Sequence, residues 1–388
     1  NCDFTSNNAT NGGAIRITRL GVNTQISGSN FTNNNATSGH GGAIYTDSPL
    51  DISDSNLDGN NATGIGGAIY GSNNITVTGS NFIDGNAQNG GAIYTTGYLN
   101  ISNSNFTHNK ASDGGGAIVI YSIAHNSQIT ECNFKNNVAG IYGGGAVYWS
   151  GSDDGIISKC TFENNNASGN GGAIYIAGNN VTVTGCEFKE NKAKNGSAIY
   201  IRDNVASATI TDCTFTDNNA TEHGTVYLKG ITSPLKLSNN VFTGNSPVGA
   251  SENYYENPTI TTASVMYVSS SGTGSGLTWD DPTDWNTALG RLENPGKIVL
   301  VSDITIATQT FTNQNVTITS YGDVRRKLSS SGKYMFNLQN SNLILENVTV
   351  DAGVSVGTGS TLEMDNVTFT STSSGNGGIV FASDAVDD

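Results

Sequence analysis

The chain has 388 residues, of which 51 are Asn, 49 are Gly and only 6 are Pro. Asn and Gly are poor helix formers, so this composition excludes a helical bundle. Charged residues make up 13%, and 17 basic against 32 acidic side chains give a net charge of −15, which argues against a nucleic-acid-binding protein.

Two further properties of the composition limit the class of protein to which this chain can belong. The 36% of hydrophobic residues are spread along the chain, which argues against disorder, and apolar stretches such as 297–301 are far too short to span a bilayer. An acidic, weakly charged surface rich in Asn, Thr and Ser favours an extracellular protein. Because Asn1 falls in the middle of a pattern, we expect a mature or cropped segment.

The first two thirds of the chain are built on a repeat of 24 to 28 residues. A hydrophobic anchor recurs ten times, Asn follows it by three residues in nine copies, and a Gly-Gly-Ala-Ile element comes after a short loop. The anchors are Phe4, Phe31, Leu57, Phe82, Phe106, Phe134, Phe162, Phe188, Phe215 and Phe242. The Gly-Gly element begins at Gly12, Gly41, Gly66, Gly90, Gly115, Gly144 and Gly171, and decays at Gly196 and Gly224.

Alternating stretches between these elements, such as 75–78 and 181–184, predict about three short strands in each repeat. One repeat cannot bury its own apolar face, so neighbouring repeats must stack as parallel strands roughly 4.8 Å apart. Residues 1–247 are therefore predicted to form a right-handed parallel β-helix of about ten coils. The stacked asparagines are predicted to form a structural ladder rather than a ligand site: Asn34, Asn60, Asn109, Asn137, Asn165, Asn191 and Asn218.

The paired motifs Phe-x-x-Asn and Gly-Gly-Ala-(Ile/Val/Leu), once in each coil, resemble the polymorphic outer membrane protein repeat. They are also similar to the β-helical adhesin-like surface proteins of methanogenic archaea. The resemblance covers about Cys2–Pro247 and implies an extracellular β-helix used in adhesion or surface structure. We expect the archaeal type of protein or a segment cropped from a longer one.

The pattern changes after Phe242. Residues 248–263 are predicted to be a linker, and 264–388 to be the capped start of a second β-helix. Helical spacing of Trp285, Ala288 and Leu292 predicts a short cap helix at about 283–292, stopped by Pro295-Gly296 before a buried strand. Later alternations, such as 343–345 and 348–350, predict that coils resume.

The cysteines lie two residues before an anchor, in a column that elsewhere holds Ser29, Ser55, Ser80 and Ser104. This column is predicted to point inward. Both buried thiols and disulfide bridges between neighbouring coils remain open alternatives for Cys132, Cys160, Cys186 and Cys213. No cysteine spacing suggests a metal site, and the four histidines are interpreted as surface loop residues.

Many β-helices cleave acidic polysaccharides with carboxylates clustered on adjacent coils. The nearest such column here, Glu131, Lys159, Gly185 and Asp212, mixes charge signs and residue types. This mixture favours a non-catalytic protein, and a polysaccharide lyase or hydrolase that acts on acidic glycans is the alternative. We expect no cofactor, although adventitious Ca²⁺ could bind acidic loops.

Asn-x-Ser/Thr sequons are only slightly more frequent than chance predicts in so Asn-rich a chain, so glycosylation stays a hypothesis based on exposure. The candidate acceptors are Asn30, Asn35, Asn61, Asn105, Asn166, Asn219 and Asn347.

A tyrosine directly follows the Gly-Gly-Ala-Ile element in seven coils, which predicts an outward tyrosine stripe. Such a stripe can contact sugars or a partner, or can only stabilise the sheet by stacking between coils. Its members are Tyr45, Tyr70, Tyr94, Tyr148, Tyr175, Tyr200 and Tyr227.

These features favour a non-catalytic, extracellular, adhesin-like protein or surface filament component, with no membrane span in this segment. The expected partners are other copies of the chain, surface-layer components, and glycans or proteins of a host or neighbouring cell, but not nucleic acid. Head-to-tail continuation is a further expectation, since Phe4 would follow Phe369 by a near-repeat spacing, although Val386 falls on the opposite alternation phase.

Overall fold

The computed structural model describes the chain except for residues 19–20, 22, 122–125, 152, 203–204, 206, 229–234, 239, 247–253, 256–262, 275, 277–278, 280–281, 331, 333, 371–379 and 383–388. The chain divides into two compact units. The first comprises Asn1–Lys236 and Asn240–Thr259, and the second comprises Leu237–Asn239 and Ile260–Asp388.

The first unit is a solenoid of four parallel sheets, here called A to D, to which the first nine coils contribute one short strand apiece; among the described residues the tenth coil contributes a strand to sheets A and C. Sheet A holds the anchors in strands Asp3–Thr5, Asn30–Thr32, Asn56–Asp58, Asn81–Ile83, Asn105–Thr107, Asn133–Lys135, Thr161–Glu163, Glu187–Lys189, Thr214–Thr216 and Val241–Thr243. Sheet B follows with strands Asn8–Ala9, Asn35–Ala36, Asn61–Ala62, Asn86–Asn89, Lys110–Gly114, Val138–Ala139, Asn166–Ala167, Lys192–Asn195 and Asn219–His223.

Sheets C and D complete each coil. Sheet C contains strands Ile15–Ile17, Ile44–Thr46, Ile69–Gly71, Ile93–Thr95, Ile118–Tyr121, Val147–Ser150, Ile174–Ile176, Ile199–Ile201, Val226–Leu228 and Tyr254–Tyr255. Sheet D contains strands Thr24–Ser27, Leu50–Ser53, Ile75–Thr78, Leu99–Ser102, Gln128–Thr130, Ile156–Ser158, Val181–Thr184, Ala208–Thr211 and Leu235–Ser238. Within the residues predicted as a linker, Tyr254–Tyr255 is thus the last strand of sheet C.

The registers place equivalent residues of successive coils directly over one another. Phe106 pairs with Phe134, and Ile69 pairs with Ile93. These side chains are fully buried, so the core is a set of columns running along the solenoid. The predicted parallel β-helix is confirmed, but each coil has four strands instead of about three. The Asn-Ala strand of sheet B is often only two residues long, too short to produce a period-two pattern in the sequence.

The Gly-Gly element is required by the turn between sheets B and C. Gly66 has a φ of +70°, a left-handed conformation that favours glycine. A Cβ on the next residue, Gly67, would collide with the carbonyl oxygen of Gly91 in the following coil. The two glycines therefore serve different needs, one conformational and one steric.

The second unit has three parallel sheets, E to G, and one helix. Sheet E comprises Ala263–Val268, Leu292–Leu300, Asn315–Ser320, Asn342–Glu346 and Thr361–Asp365. Sheet F comprises Ile304–Thr305, Arg326–Ser329, Val348–Val350 and Thr368–Phe369, and sheet G comprises Gln309–Thr312, Tyr334–Gln339, Gly353–Val356 and Val380–Ala382.

The helix of the second unit, α1, runs from Trp285 to Arg291, inside the predicted 283–292. It begins there because the Asp284 side chain accepts hydrogen bonds from the backbone N–H groups of Asn286 and Thr287. The strand Leu292–Leu300 follows at once and runs through Pro295-Gly296, so that pair does not separate helix from strand as the sequence predicts.

Candidate functional site

The asparagine ladder lies inside the first unit and is fully buried. The Nδ2 atom of Asn137 donates to Oδ1 of Asn165 at 2.9 Å, and Nδ2 of Asn165 donates to Oδ1 of Asn191 at 3.0 Å. The same Asn165 Nδ2 also donates to the carbonyl oxygen of Phe134 at 3.0 Å. The ladder thus links each coil to its neighbours by hydrogen bonds, and its amide groups are used within the protein and not by a ligand. All seven predicted members are buried: Asn34, Asn60, Asn109, Asn137, Asn165, Asn191 and Asn218.

The serine and cysteine column is a second internal ladder. Ser55 Oγ donates to the carbonyl oxygen of Ser53 and accepts from the backbone N–H of Ser29. Cys160 repeats this arrangement with its Sγ atom, which accepts from the N–H of Cys132 at 3.5 Å. The four stacked cysteines are buried free thiols, while Cys2 is an exposed free thiol.

The tyrosines stack face to face along sheet C. Ring centroids are 4.7 Å apart for Tyr148 and Tyr175, 4.9 Å for Tyr175 and Tyr200, and 5.0 Å for Tyr200 and Tyr227. Tyr175, Tyr200 and Tyr227 are only 7–8% exposed, so the outward exposure predicted for them is wrong. Stacking is the physical reason, because each ring covers the face of the next one.

Tyr45, Tyr70 and Tyr94 form the other part of the ladder and are half-buried. Tyr45 and Tyr70 lie 4.9 Å apart, whereas Tyr70 and Tyr94 lie 6.0 Å apart. Val119, which is buried, occupies the next position in the column, between Tyr94 and Tyr148. The ladder is therefore two stacks separated by one coil.

Three exposed hydrophobic residues lie in the coil of Val119 and the coil that follows it. Tyr121 is 59% exposed, Tyr142 is 58% exposed and Ile141 is 71% exposed. Sequence reasoning missed them because they lie outside the repeated motif. The available signal was coil length, since the steps from Phe106 to Phe134 and from Phe134 to Phe162 are 28 residues each, the longest in the chain.

The sequon asparagines lie on outer faces of the solenoid strands or in the second unit. Asn30, Asn105, Asn166 and Asn219 are exposed, whereas Asn35, Asn61 and Asn347 are half-buried. The Nδ2 atom of Asn105, to which a glycan would attach, donates to Oδ1 of Asn81 at 2.8 Å. Glycosylation at these positions stays a prediction.

Charged side chains on the outer faces form ion pairs between neighbouring coils. Lys135 pairs with Glu163 at 2.9 Å, and Lys159 pairs with Glu131 at 3.4 Å. The mixed column considered for glycan cleavage thus contains an exposed ion pair. Among the described residues, no group of three or more His, Cys, Asp or Glu could hold a metal ion, and no helix is long and apolar enough to cross a membrane. Val386, used to judge head-to-tail continuation, lies outside the described residues.

Comparison with protein families agrees with this architecture. The model of a right-handed β-helix region matches residues 43–196 and 124–265, which together span more than half of the chain. The model of the Chlamydia polymorphic membrane protein repeat matches residues 28–47, which contain Phe31, Asn34 and the Gly41-Gly42 turn. No curated protein matches the chain. The predicted handedness and repeat type are confirmed, and the archaeal origin stays a prediction.

Proposed function

Because this chain belongs to the right-handed β-helix family and carries the polymorphic membrane protein repeat, we propose that it is a non-catalytic, adhesin-like protein of the cell surface. The observation that carries the proposal is that the matched repeat continues in register through the coils of the first unit. Its anchors, asparagines and glycines occupy the same structural positions in successive coils.

The repeated residues are used to build the scaffold. The anchors fill the core, and the asparagines satisfy carbonyl groups of the neighbouring coil. This leaves the outward side chains, which vary between coils, available for contact with partners. A rigid stack of coils with variable outer faces suits a protein that presents contact surfaces away from a cell.

The surface charges also support a structural use of carboxylates. Glu163, Glu131 and Glu222 each lie within 3.4 Å of a lysine on an adjacent coil. Such exposed pairs contribute about 0–1 kcal/mol each, so they organise the surface more than they stabilise it. Acid–base catalysis would instead favour carboxylates whose environments differ strongly.

The proposal is tested by displaying the full chain on fluorescent beads and measuring adhesion to cells and to glycan-coated surfaces. We expect folded chain to confer adhesion, and beads carrying the thermally unfolded chain or an unrelated protein of similar acidity to show none. The same preparation is incubated with pectin-like and other acidic glycans. Adhesion no greater than the controls would contradict the adhesin role, and new reducing ends or unsaturated products would establish the enzyme alternative.

A further inference from the structure

Exposed hydrophobic side chains in the described part of the first unit are concentrated in two adjacent coils. Five of the six large ones fall within residues 121–156, and the sixth is Val241. Tyr121, Ile141 and Tyr142 are the three most exposed members of this group of six. Scattered surface hydrophobics are normal, but a local concentration marks an interaction site.

This region coincides with the two longest coils. Each of the steps between Phe106, Phe134 and Phe162 is 28 residues, against 24 to 27 elsewhere. In solenoids, insertions that keep the coil intact become loops on one face, which is often the binding face. The exposed aromatic residues Tyr121 and Tyr142 lie in these two coils, outside the core.

The tyrosine ladder is broken at the same place. Tyr94 stacks on Tyr70 and Tyr148 stacks on Tyr175, but Val119 lies between them in the column. Among the described residues, no aromatic ring stacks on the sides of Tyr94 and Tyr148 that face Val119. Elsewhere the facing rings within each stack cover one another, and Arg16 lies over the ring of Tyr45 at the first end of the ladder.

The exposed tyrosines belong to the same neighbourhood as the broken ladder. A Cβ placed on Gly114 would lie 3.2 Å from Cβ of Tyr142 and 3.4 Å from Cδ2 of Tyr148. Burial raises the pKa of Tyr94 to about 12, with smaller electrostatic contributions from Tyr121, Tyr70 and Tyr148. Tyr94 therefore lies within electrostatic range of Tyr121 and Tyr148.

We propose that Tyr94, Tyr121, Ile141, Tyr142 and Tyr148, the tyrosine patch, form a binding site for a neutral saccharide. This inference rests on the proposed surface function and names the class of its ligand. Phenol rings offer apolar faces to the C–H groups of a sugar ring, and their hydroxyl groups can exchange hydrogen bonds with sugar hydroxyls.

The size and charge of the tyrosine patch favour a short saccharide. Two to three adjacent coils span only about 10–15 Å along the solenoid, whereas a stable protein interface uses about 20–30 residues on each side. The patch contains no charged side chain, although the whole chain carries a net charge of −15. None of the five patch residues carries a cationic group, although Arg202 lies within electrostatic range of Tyr148, so ring contacts with a neutral glycan are the better match.

The test is binding of the full chain to neutral manno-, gluco-, galacto- and chito-oligosaccharides, measured by titration calorimetry. Oligogalacturonate serves as the acidic comparison. The chain is expected to bind a neutral oligosaccharide, and Tyr121→Ala/Tyr142→Ala to bind it about tenfold more weakly, because two exposed rings are removed. Tyr45→Ala, in the other stack and far from the patch, is the matched control and should bind like the unaltered chain.

Both altered chains are first shown to unfold cooperatively, so that a lost fold is not taken for lost binding. The proposal is overturned if no neutral oligosaccharide binds, if only oligogalacturonate binds, or if the double substitution leaves the affinity unchanged. Bead adhesion separates this outcome from failure of the proposed function. If beads carrying Tyr121→Ala/Tyr142→Ala still adhere, the saccharide-binding role of the tyrosine patch is contradicted but the adhesin role is not. If beads carrying the unaltered chain do not adhere, the adhesin role itself is contradicted.

Discussion

Asn165 shows how one buried side chain joins several coils. Its Oδ1 accepts from both the backbone N–H and Nδ2 of Asn137, and its Nδ2 donates to Asn191 and to the carbonyl oxygen of Phe134. Its own N–H donates to Asn191. Because buried polar groups must find partners within the protein, removing this amide leaves several neighbours unsatisfied.

We therefore expect Asn165→Ala to lower the free energy of unfolding by about 1–3 kcal/mol. Asn166→Ala is the matched control, because Asn166 is the next residue along the chain and is exposed. Urea unfolding of both variants measures the difference. Equal stability of the two variants would show that the ladder does not hold the coils.

His40 gives the first coils a pH dependence. Its Nδ1 accepts a hydrogen bond from the backbone N–H of Ile65 at 3.2 Å, which requires a neutral ring, and burial lowers its pKa below the ordinary 6.5. Between the folded pKa and 6.5 the unfolded chain binds more protons than the native one. This contribution to stability is present above about pH 6.5 and is lost as the pH falls through the folded pKa.

Hydrogen exchange of the Ile65 amide should therefore accelerate as the pH falls below about 6.5, beyond the intrinsic pH dependence of exchange. His40→Gln, which keeps a hydrogen-bond acceptor without a titrating group, should remove this acceleration. An identical pH profile in the two proteins would contradict the assignment.

At the scale of single elements, the sheet A strands depend on their anchors. Phe134 is fully buried and stacks on Phe106 at 4.9 Å and on Phe162 at 4.8 Å. Phe134→Ala should cost about 3–5 kcal/mol through the cavity it leaves. Since coils contact mainly their neighbours, hydrogen exchange should increase in that coil and the adjacent ones.

Leu57 shows that leucine fits the same column, because it is 1% exposed and pairs with Phe31 and Phe82. Phe134→Leu is therefore the control, and should cost clearly less than alanine at this position. Uniform loss of protection across all coils of the alanine variant would contradict the local coupling of the solenoid.

The cysteine column makes a prediction about reactivity. Hydrogen bonding with Cys160 and burial raise the pKa of Cys132, so its thiol stays protonated and unreactive. Cys2 is exposed. Alkylation of the native chain followed by intact mass measurement should show one modified cysteine, and alkylation in denaturant should show all five.

Cys160→Ser should unfold with nearly unchanged stability, because serine makes equivalent hydrogen bonds at Ser55 in the same column. Rapid modification of two or more cysteines in the native chain would show that the column is open to solvent.

Much of the molecule follows from its repeat, and the exceptions have physical causes. The columns of Phe106 and Asn137 are predictable because a parallel solenoid repeats the same environment in each coil. The burial of Tyr175 is not, because alternation fixes the direction of a side chain but not how far its stacked neighbours cover it. Tyr142 was missed because it lies in the variable loop between Ala139 and Gly144, outside the repeated motifs.

The central claim at the scale of the whole molecule is that each repeat of the first unit advances the chain by one in-register coil. Spin labels on the exposed positions Asn30 and Thr214 of sheet A report this directly, since these residues lie seven coils apart. Asn105 and Thr214, four coils apart in the same sheet, form the companion pair. Each pair is introduced as Asn30→Cys/Thr214→Cys or Asn105→Cys/Thr214→Cys in a Cys2→Ser background, where the remaining native thiols are buried.

Pulsed electron–electron double resonance then measures the distance between the two labels of each pair. We predict narrow distributions at about 34 Å for the first pair and about 19 Å for the second, as the spacing of parallel strands requires. Distances that do not scale with the number of intervening coils, or broad distributions for both pairs, would contradict the account.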